Sequence, residues 1–248
     1  MSRGMTVQSD VIKAVIFDFD GTLVDTEEHA YQVWCEIYEE YGARLTLDVW
    51  VSCIGGGTAP VDPVAHLQEQ IGRPVDRGEL IARHKAAHAS RARVEPLRAG
   101  VRDHLERARE LGLKIGLASS SPRSWVVEHL ELRGILHFFD AIATRDDVRR
   151  VKPDPELYLA VMERLGISSG EGVVFEDSRN GLIAAKASGL YCVVVPCGLT
   201  RGLDFREADL VSDSHEAIRL DDLIKALENQ VSRGDDEGWQ ARSSIQNR

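Results

Sequence analysis

Lys13-Ala14-Val15-Ile16-Phe17-Asp18-Phe19-Asp20-Gly21-Thr22-Leu23-Val24-Asp25 is the stretch that decides the fold. Its first half is a short apolar run that ends in acids and glycine, the pattern of a buried parallel strand. Similar runs recur at Lys114–Ser119, Phe139–Thr144, Gly172–Asp177 and Tyr191–Val195. Segments with helical spacing lie between them. Val101 to Leu111 places Val101, Leu105, Ala108 and Leu111 on one face. Pro122–Leu132 and Pro155–Leu165 each open on a proline, whose missing N–H costs nothing in a first helical turn. Gly166 supplies a stop for the second of these. Strand alternating with helix predicts an α/β fold, a Rossmann-like parallel sheet covered on both faces.

One gap breaks this rhythm. Residues 25–94 read as a mostly helical insert after the first strand, leaving 11–24 and 95–228 as the α/β core. Within the insert, Thr26 to Tyr41 carries Ala30, Val33, Trp34, Ile37 and Tyr41 as an apolar stripe, and Leu47–Ile54, Val61–Ile71 and Glu79–Ala92 continue in helical style. Trp34 and Trp50 are expected in the core of this insert. Pro96 and Gly100 mark the return to the sheet. The polar tail, 229–248, is expected to be disordered.

Composition narrows the function. The chain has 248 residues, 43% apolar and 28% charged, enough for one core with a modest insert. A formal net charge of −10 argues against nucleic acid and anionic membranes as partners. The start, Met1 to Asp10, lacks the apolar segment of a secretory signal, and no run approaches the length of a membrane span. The four cysteines, Cys35, Cys53, Cys192 and Cys197, form no CxxC pair and read as reduced thiols of a cytoplasmic protein.

Four features fall at the ends of predicted strands, where open α/β sheets bind ligands. Asp18 and Asp20 form a carboxylate pair suited to attack phosphorus and to hand a proton to a leaving oxygen; if the strand continues they share a side, and a turn at Gly21 would separate them. Ser119 and Ser120, ahead of a helix start, offer hydroxyl and backbone N–H groups to a phosphate, though an N-cap explains them as well. Lys152, stiffened by Pro153 and Pro155, can offset phosphate charge and hold Asp18 ionised. Glu176 and Asp177 are costly to bring beside Asp18 and Asp20 without a cation, and hard oxygen ligands point to magnesium.

Taken together, from about Ile12 to about Leu227, these motifs resemble the haloacid dehalogenase-like superfamily. Leu113–Ser121, Val151–Leu159 and Phe175–Gly189 are similar to its β-phosphoglucomutase and phosphoglycolate-phosphatase group, with helical caps. The resemblance implies Asp18 as nucleophile, Asp20 as general acid and base, and Ser119 and Lys152 as phosphate partners. It implies Asp18, the backbone of Asp20 and Asp177 as magnesium ligands, with Glu176 in or next to the ligand set. The expected activity is hydrolysis of a small phosphorylated metabolite by a monomer or dimer. A sugar-phosphate mutase of this group would carry a DTxxxH arrangement and a basic KGxxR-type loop. Here Asp25-Thr26-Glu27-Glu28-His29-Ala30 sets the histidine one residue early, and Cys53-Ile54-Gly55-Gly56-Gly57-Thr58 has neither Lys nor Arg. A metal-free dehalogenase usually lacks the second acid of the pair, and a non-catalytic binder would be expected to have lost one of the motif residues. His84 and His88, four apart, have no third ligand and are expected on a solvated helix face.

Overall fold

Ala14–Phe17 is apolar throughout because it runs through the middle of a sheet and packs on both faces. The protein is seen here in a computed structural model that describes residues 12–51 and 61–233. Six strands, β1 (Ala14–Phe17), β2 (Lys114–Ala118), β3 (Ala141–Ala143), β4 (Gly172–Glu176), β5 (Tyr191–Val194) and β6 (Leu210–Val211), form one sheet in the order β3-β2-β1-β4-β5-β6. Every pairing is parallel. The carboxyl ends of all strands therefore lie along one edge. β1 is flanked by β2 and β4, with Phe17 opposite Leu117 on one side and Phe175 on the other. That order sets the residues after β1, β2 and β4 side by side.

Helices α5 (Val101–Glu110), α6 (Arg123–Leu132), α7 (Glu156–Leu165), α8 (Arg179–Ala187) and α9 (Leu220–Arg233) cover the sheet. Two apolar clusters fill the space on its faces. One gathers Val15, Phe17, Leu105, Ile115, Leu117, Val173 and Phe175; the other gathers Ile16, Tyr158, Val161, Val174 and Leu182. Alternation along each strand assigns neighbours to opposite faces.

Four helices, α1 (Thr26–Glu40), α2 (Leu47–Val51), α3 (Pro63–Ile71) and α4 (Arg77–Val94), stand between β1 and α5 in the chain. They have their own core of Val33, Trp34, Ile37, Tyr38, Trp50, Leu67 and Leu80, to which Cys197 and Leu199 from the sheet side contribute. Asp62 and Asp76 cap α3 and α4 by accepting backbone N–H groups.

The structure departs from the sequence reading in several places. β6 is only two residues long and too short to leave a periodic signal. α9 runs through Arg233, past the point at Asn229 where the polar tail was expected to begin. Leu111 is half-exposed at the end of α5, and His104 takes the buried position instead. His84 and His88 do not face solvent: their Nε2 atoms lie 3.0 and 3.1 Å from the carbonyls of Ala30 and Thr26 on α1. The glycine triplet and Cys53 lie outside the described residues.

Gly116 of β2 lies tightly under α7. A Cβ there would stand 2.5 Å from Val161 Cγ1 and 3.1 Å from Leu165 Cδ1 on α7. Overpacking of this kind costs about 1–3 kcal/mol. Gly116→Ala is expected to lower unfolding stability by that amount in urea titration, with the m-value unchanged.

Candidate active site

Asp18 follows β1 directly and extends its ladder, its N–H donating to Phe175 O at 3.0 Å. The chain then turns. Phe19 O accepts the N–H groups of Thr22, Leu23 and Val24, and Gly21 N donates to Val24 O at 2.8 Å. Gly21 has a φ of 82°, and a Cβ on it would overlap the Asp177 carboxylate. Both the left-handed backbone and the close approach require glycine. The strand ends at Phe17, and Asp20 belongs to the turn, which takes the two acids out of a shared strand register.

Lys152 enters from the loop before α7 and is almost fully buried. Its ammonium donates to Asp18 Oδ1, to Ala118 O at 2.8 Å and to Glu176 Oε1 at 2.6 Å. Those three acceptors use all three of its protons. Glu176 is wholly buried. Its Oε1 also accepts from the Tyr158 hydroxyl at 2.5 Å, and its Oε2 accepts from Ser178 Oγ at 3.1 Å. Gly181 passes so close that any side chain there would displace the Glu176 carboxylate. Asp177 is met by Thr22 Oγ1 at 3.4 Å, by Thr200 Oγ1 at 3.5 Å and by the Cys197 thiol.

Asp18, Glu176 and Asp177 each offer an oxygen within 4.8 Å of the others, and all three are buried. Burial raises the Asp18 carboxyl well above its ordinary value against the pull of Lys152. Burial, with Glu176 beside it, pushes Asp177 up to about 8. Burial alone would lower the Lys152 ammonium, but Asp18 and Glu176 outweigh it and hold it above its usual range. With all three carboxyls ionised, the single ammonium would leave two negative charges uncompensated. A divalent cation with oxygen ligands matches that excess in charge and in donor type.

Asp20 is held differently. Its Oδ1 accepts from Thr26 Oγ1 at 2.6 Å and from the Trp125 indole N–H at 3.0 Å, and its Oδ2 accepts from Ser121 Oγ at 2.5 Å. Glu27, one residue into α1, lies against the same acids; burial and the charges of Asp20 and Asp18 push its carboxyl up to about 8. Ser119 is buried at the end of β2, its hydroxyl accepting from Ser121 N at 3.0 Å. Ser120 is half-buried beside it. The sequence reading passed over Trp125, Tyr158 and Glu27. Thr26 and Ser121 did lie inside motifs already quoted, DFDGTLVDT and the serine triplet. Trp125 carries no local signal, since its partner is more than a hundred residues away in the chain.

A model for haloacid dehalogenase-like hydrolases matches residues 15–195. The chain belongs to this family. Within it, the chain falls in the β-phosphoglucomutase and phosphoglycolate-phosphatase group. It is 46% identical over 220 residues to a Bacillus subtilis protein named "Putative phosphatase YhcW", spanning 89% of this chain and 100% of that one. It is 31% identical to the phosphorylated carbohydrates phosphatase of Thermotoga maritima, over 87% of this chain and 98% of that one. The structure of CbbY from Rhodobacter sphaeroides in complex with phosphate superposes with a TM-score of 0.68 at 27% identity, over 83% of this chain and 95% of that one. Among the described residues, no helix is long and apolar enough to cross a membrane.

Next to the turn, His215 braces the loop, its Nε2 lying 3.1 Å from Thr22 O. Burial and the charge of Arg98 push this imidazole from 6.5 down to about 3. Between those values the unfolded chain binds a proton that the folded one refuses, so stability falls as pH is lowered below about 6.5. His215→Gln keeps a donor for Thr22 O and removes the titration. In urea melts at neutral and at mildly acidic pH, the gap in midpoint between the wild type and this variant is expected to narrow on acidification; a constant gap would show that His215 does not drive the loss.

Proposed function

We propose that this protein is a magnesium-dependent phosphatase that hydrolyses small phosphate monoesters, sugar phosphates or similar metabolites, through an aspartyl-phosphate on Asp18. One observation carries the reading: Asp18 stands at the strand edge beside a buried ammonium and two further buried carboxylates. The names of the relatives support a phosphorylated carbohydrate as substrate.

Asp18 attacks phosphorus in line, forming a carboxylate–phosphorus bond as the bond to the leaving oxygen breaks. Asp20, protonated, gives its proton to that oxygen. Water then attacks the aspartyl-phosphate, Asp20 takes up its proton, and inorganic phosphate leaves with Asp18 restored. Asp18, the backbone of Asp20 and Asp177 would hold magnesium, with Glu176 in or next to the ligand set; bound there, the ion supplies charge neutralisation to the phosphoryl oxygens. Lys152, held by Glu176, keeps Asp18 oriented by direct contact and offers positive charge to the phosphoryl group, while Ser119 and Ser120 present hydroxyl and N–H donors to it. Residues 25–94 form a cap that excludes bulk water and reads the leaving group. The free thiols of Cys35, Cys192 and Cys197 suit a cytoplasmic enzyme, working as a monomer or dimer.

The phosphatase is preferred to a mutase because His29 is already engaged, its Nε2 lying 2.7 Å from Glu95 Oε2 rather than free to serve a second phosphoryl transfer.

Two measurements test the reading. Phosphate release from a panel of phosphorylated metabolites should be confined to one or a few of them and vanish with chelator, and Asp18→Asn should lower it by at least about three orders of magnitude. Steady turnover by a pure Asp18→Asn protein would remove Asp18 from the nucleophile role. Separately, magnesium should raise the melting temperature of the wild type and leave that of Asp177→Asn unchanged. Equal rises in both proteins would place the ion elsewhere.

A further inference from the structure

Trp125 has no part in the chemistry above, yet its side chain makes a directed contact with the proposed acid. Its indole N–H donates to Asp20 Oδ1 at 3.0 Å, the same oxygen that receives the Thr26 hydroxyl. An indole offers one proton and no acceptor, so this contact has a single sense. It favours a carboxylate whose Oδ1 is a bare acceptor. Ser121 meets the other oxygen, from the loop that leads into α6.

The indole itself packs against two imidazole rings. His88 of α4 packs against it with centroids 5.0 Å apart, and His129, one turn on in α6, packs at 4.1 Å. His129 also meets Phe19 edge-on at 5.8 Å, and Phe19 is the residue between the two acids. His88 reaches Thr26 O at 3.1 Å, and Thr26 Oγ1 returns to Asp20. Asp20, Trp125, His88 and Thr26 thus close a ring of contacts that joins α6 to α4 and α1.

We infer that Trp125 is a positioning residue for Asp20. Its N–H, with Ser121, fixes the rotation of the carboxyl from the α6 side independently of Thr26 on α1. It directs the acid proton to the leaving oxygen in the first half of the reaction. General acid catalysis depends on such placement, and misplacement by about 1 Å can cost about a hundredfold. The inference rests on the assignment of Asp20 as the acid.

The reaction's dependence on leaving group separates positioning from scaffolding. kcat/KM reports steps up to the departure of the leaving group, before water enters. A p-nitrophenolate leaves without a proton, whereas an alkoxide needs one. Trp125→Phe keeps an aromatic ring and deletes the N–H. In the magnesium-loaded full chain, this variant is expected to lose about tenfold or more in kcat/KM on alkyl phosphates and to stay within about twofold of wild type on p-nitrophenyl phosphate. Asp20→Asn should show the same contrast, larger. Replacing Trp125 by β-(3-benzothienyl)alanine, which keeps the fused-ring shape and lacks the N–H, repeats the test without a packing change should the phenylalanine protein not fold. An equal loss on both ester types, or no loss on either, overturns the inference while leaving the phosphatase reading intact. A stronger loss on the aryl ester overturns it in favour of a stacking platform for substrate. A wild type inert towards every ester removes the assignment of Asp20 and this inference with it.

Discussion

The Lys152 ammonium is buried between the carboxylates of Asp18 and Glu176, and the other features of the site are arranged around it. A charge in a low-dielectric interior is tolerated only when paired and fully hydrogen-bonded. Lys152 meets both conditions: two carboxylates and one backbone carbonyl take its three protons. Glu176 meets them too, with Tyr158, Ser178 and Lys152 on its oxygens. Removing Lys152 would strand the buried Glu176 carboxylate without a cation. The arrangement therefore fixes the Asp18 carboxylate in one orientation, with Asp177 next to it.

This cluster also explains the demands on the surrounding backbone. Gly21 cannot carry a Cβ because Asp177 fills the space, and Gly181 cannot because Glu176 does. Gly21 needs the left-handed conformation as well, which sends the chain from β1 towards the four helices and sets Asp20 apart from Asp18. Asp18 is buried and paired with a cation; Asp20 is half-buried and met only by neutral donors. Two carboxylates two residues apart are thereby suited to different chemistry, one to bond to phosphorus and one to move a proton.

Helices α1 and α4 reach this edge directly. Thr26 opens α1 and touches Asp20, Glu27 lies against the acids, and His88 of α4 packs on Trp125 of α6. The sheet side answers with Cys197 and Leu199, which join the apolar core of the helical block. The proposed acid thus lies where the helical block meets the sheet.

Most of the architecture was legible in the residues, because buried parallel strands must be continuously apolar and helices must show a stripe. The strands at Ala14, Lys114, Ala141, Gly172 and Tyr191 were all anticipated to within two residues, and so were the helices that start at Thr26, Glu156 and Val101. The acids Asp18, Asp20, Glu176 and Asp177 and the lysine Lys152 were marked by local motifs, since each sits just past a strand end, where the chain must turn and where sequence patterns are densest. What local pattern could not contain was partnership. That Glu176 spends its oxygens on Lys152 and Tyr158, that Trp125 reaches Asp20, and that His84 and His88 turn inward to α1 all depend on residues brought together from distant parts of the chain. The order of strands decided those at the sheet edge, and the pairing of α1 with α4 decided the two histidine contacts. With β1 between β2 and β4, three strand ends share one edge, and only there do the charges of separate motifs come close enough to compel one another's placement.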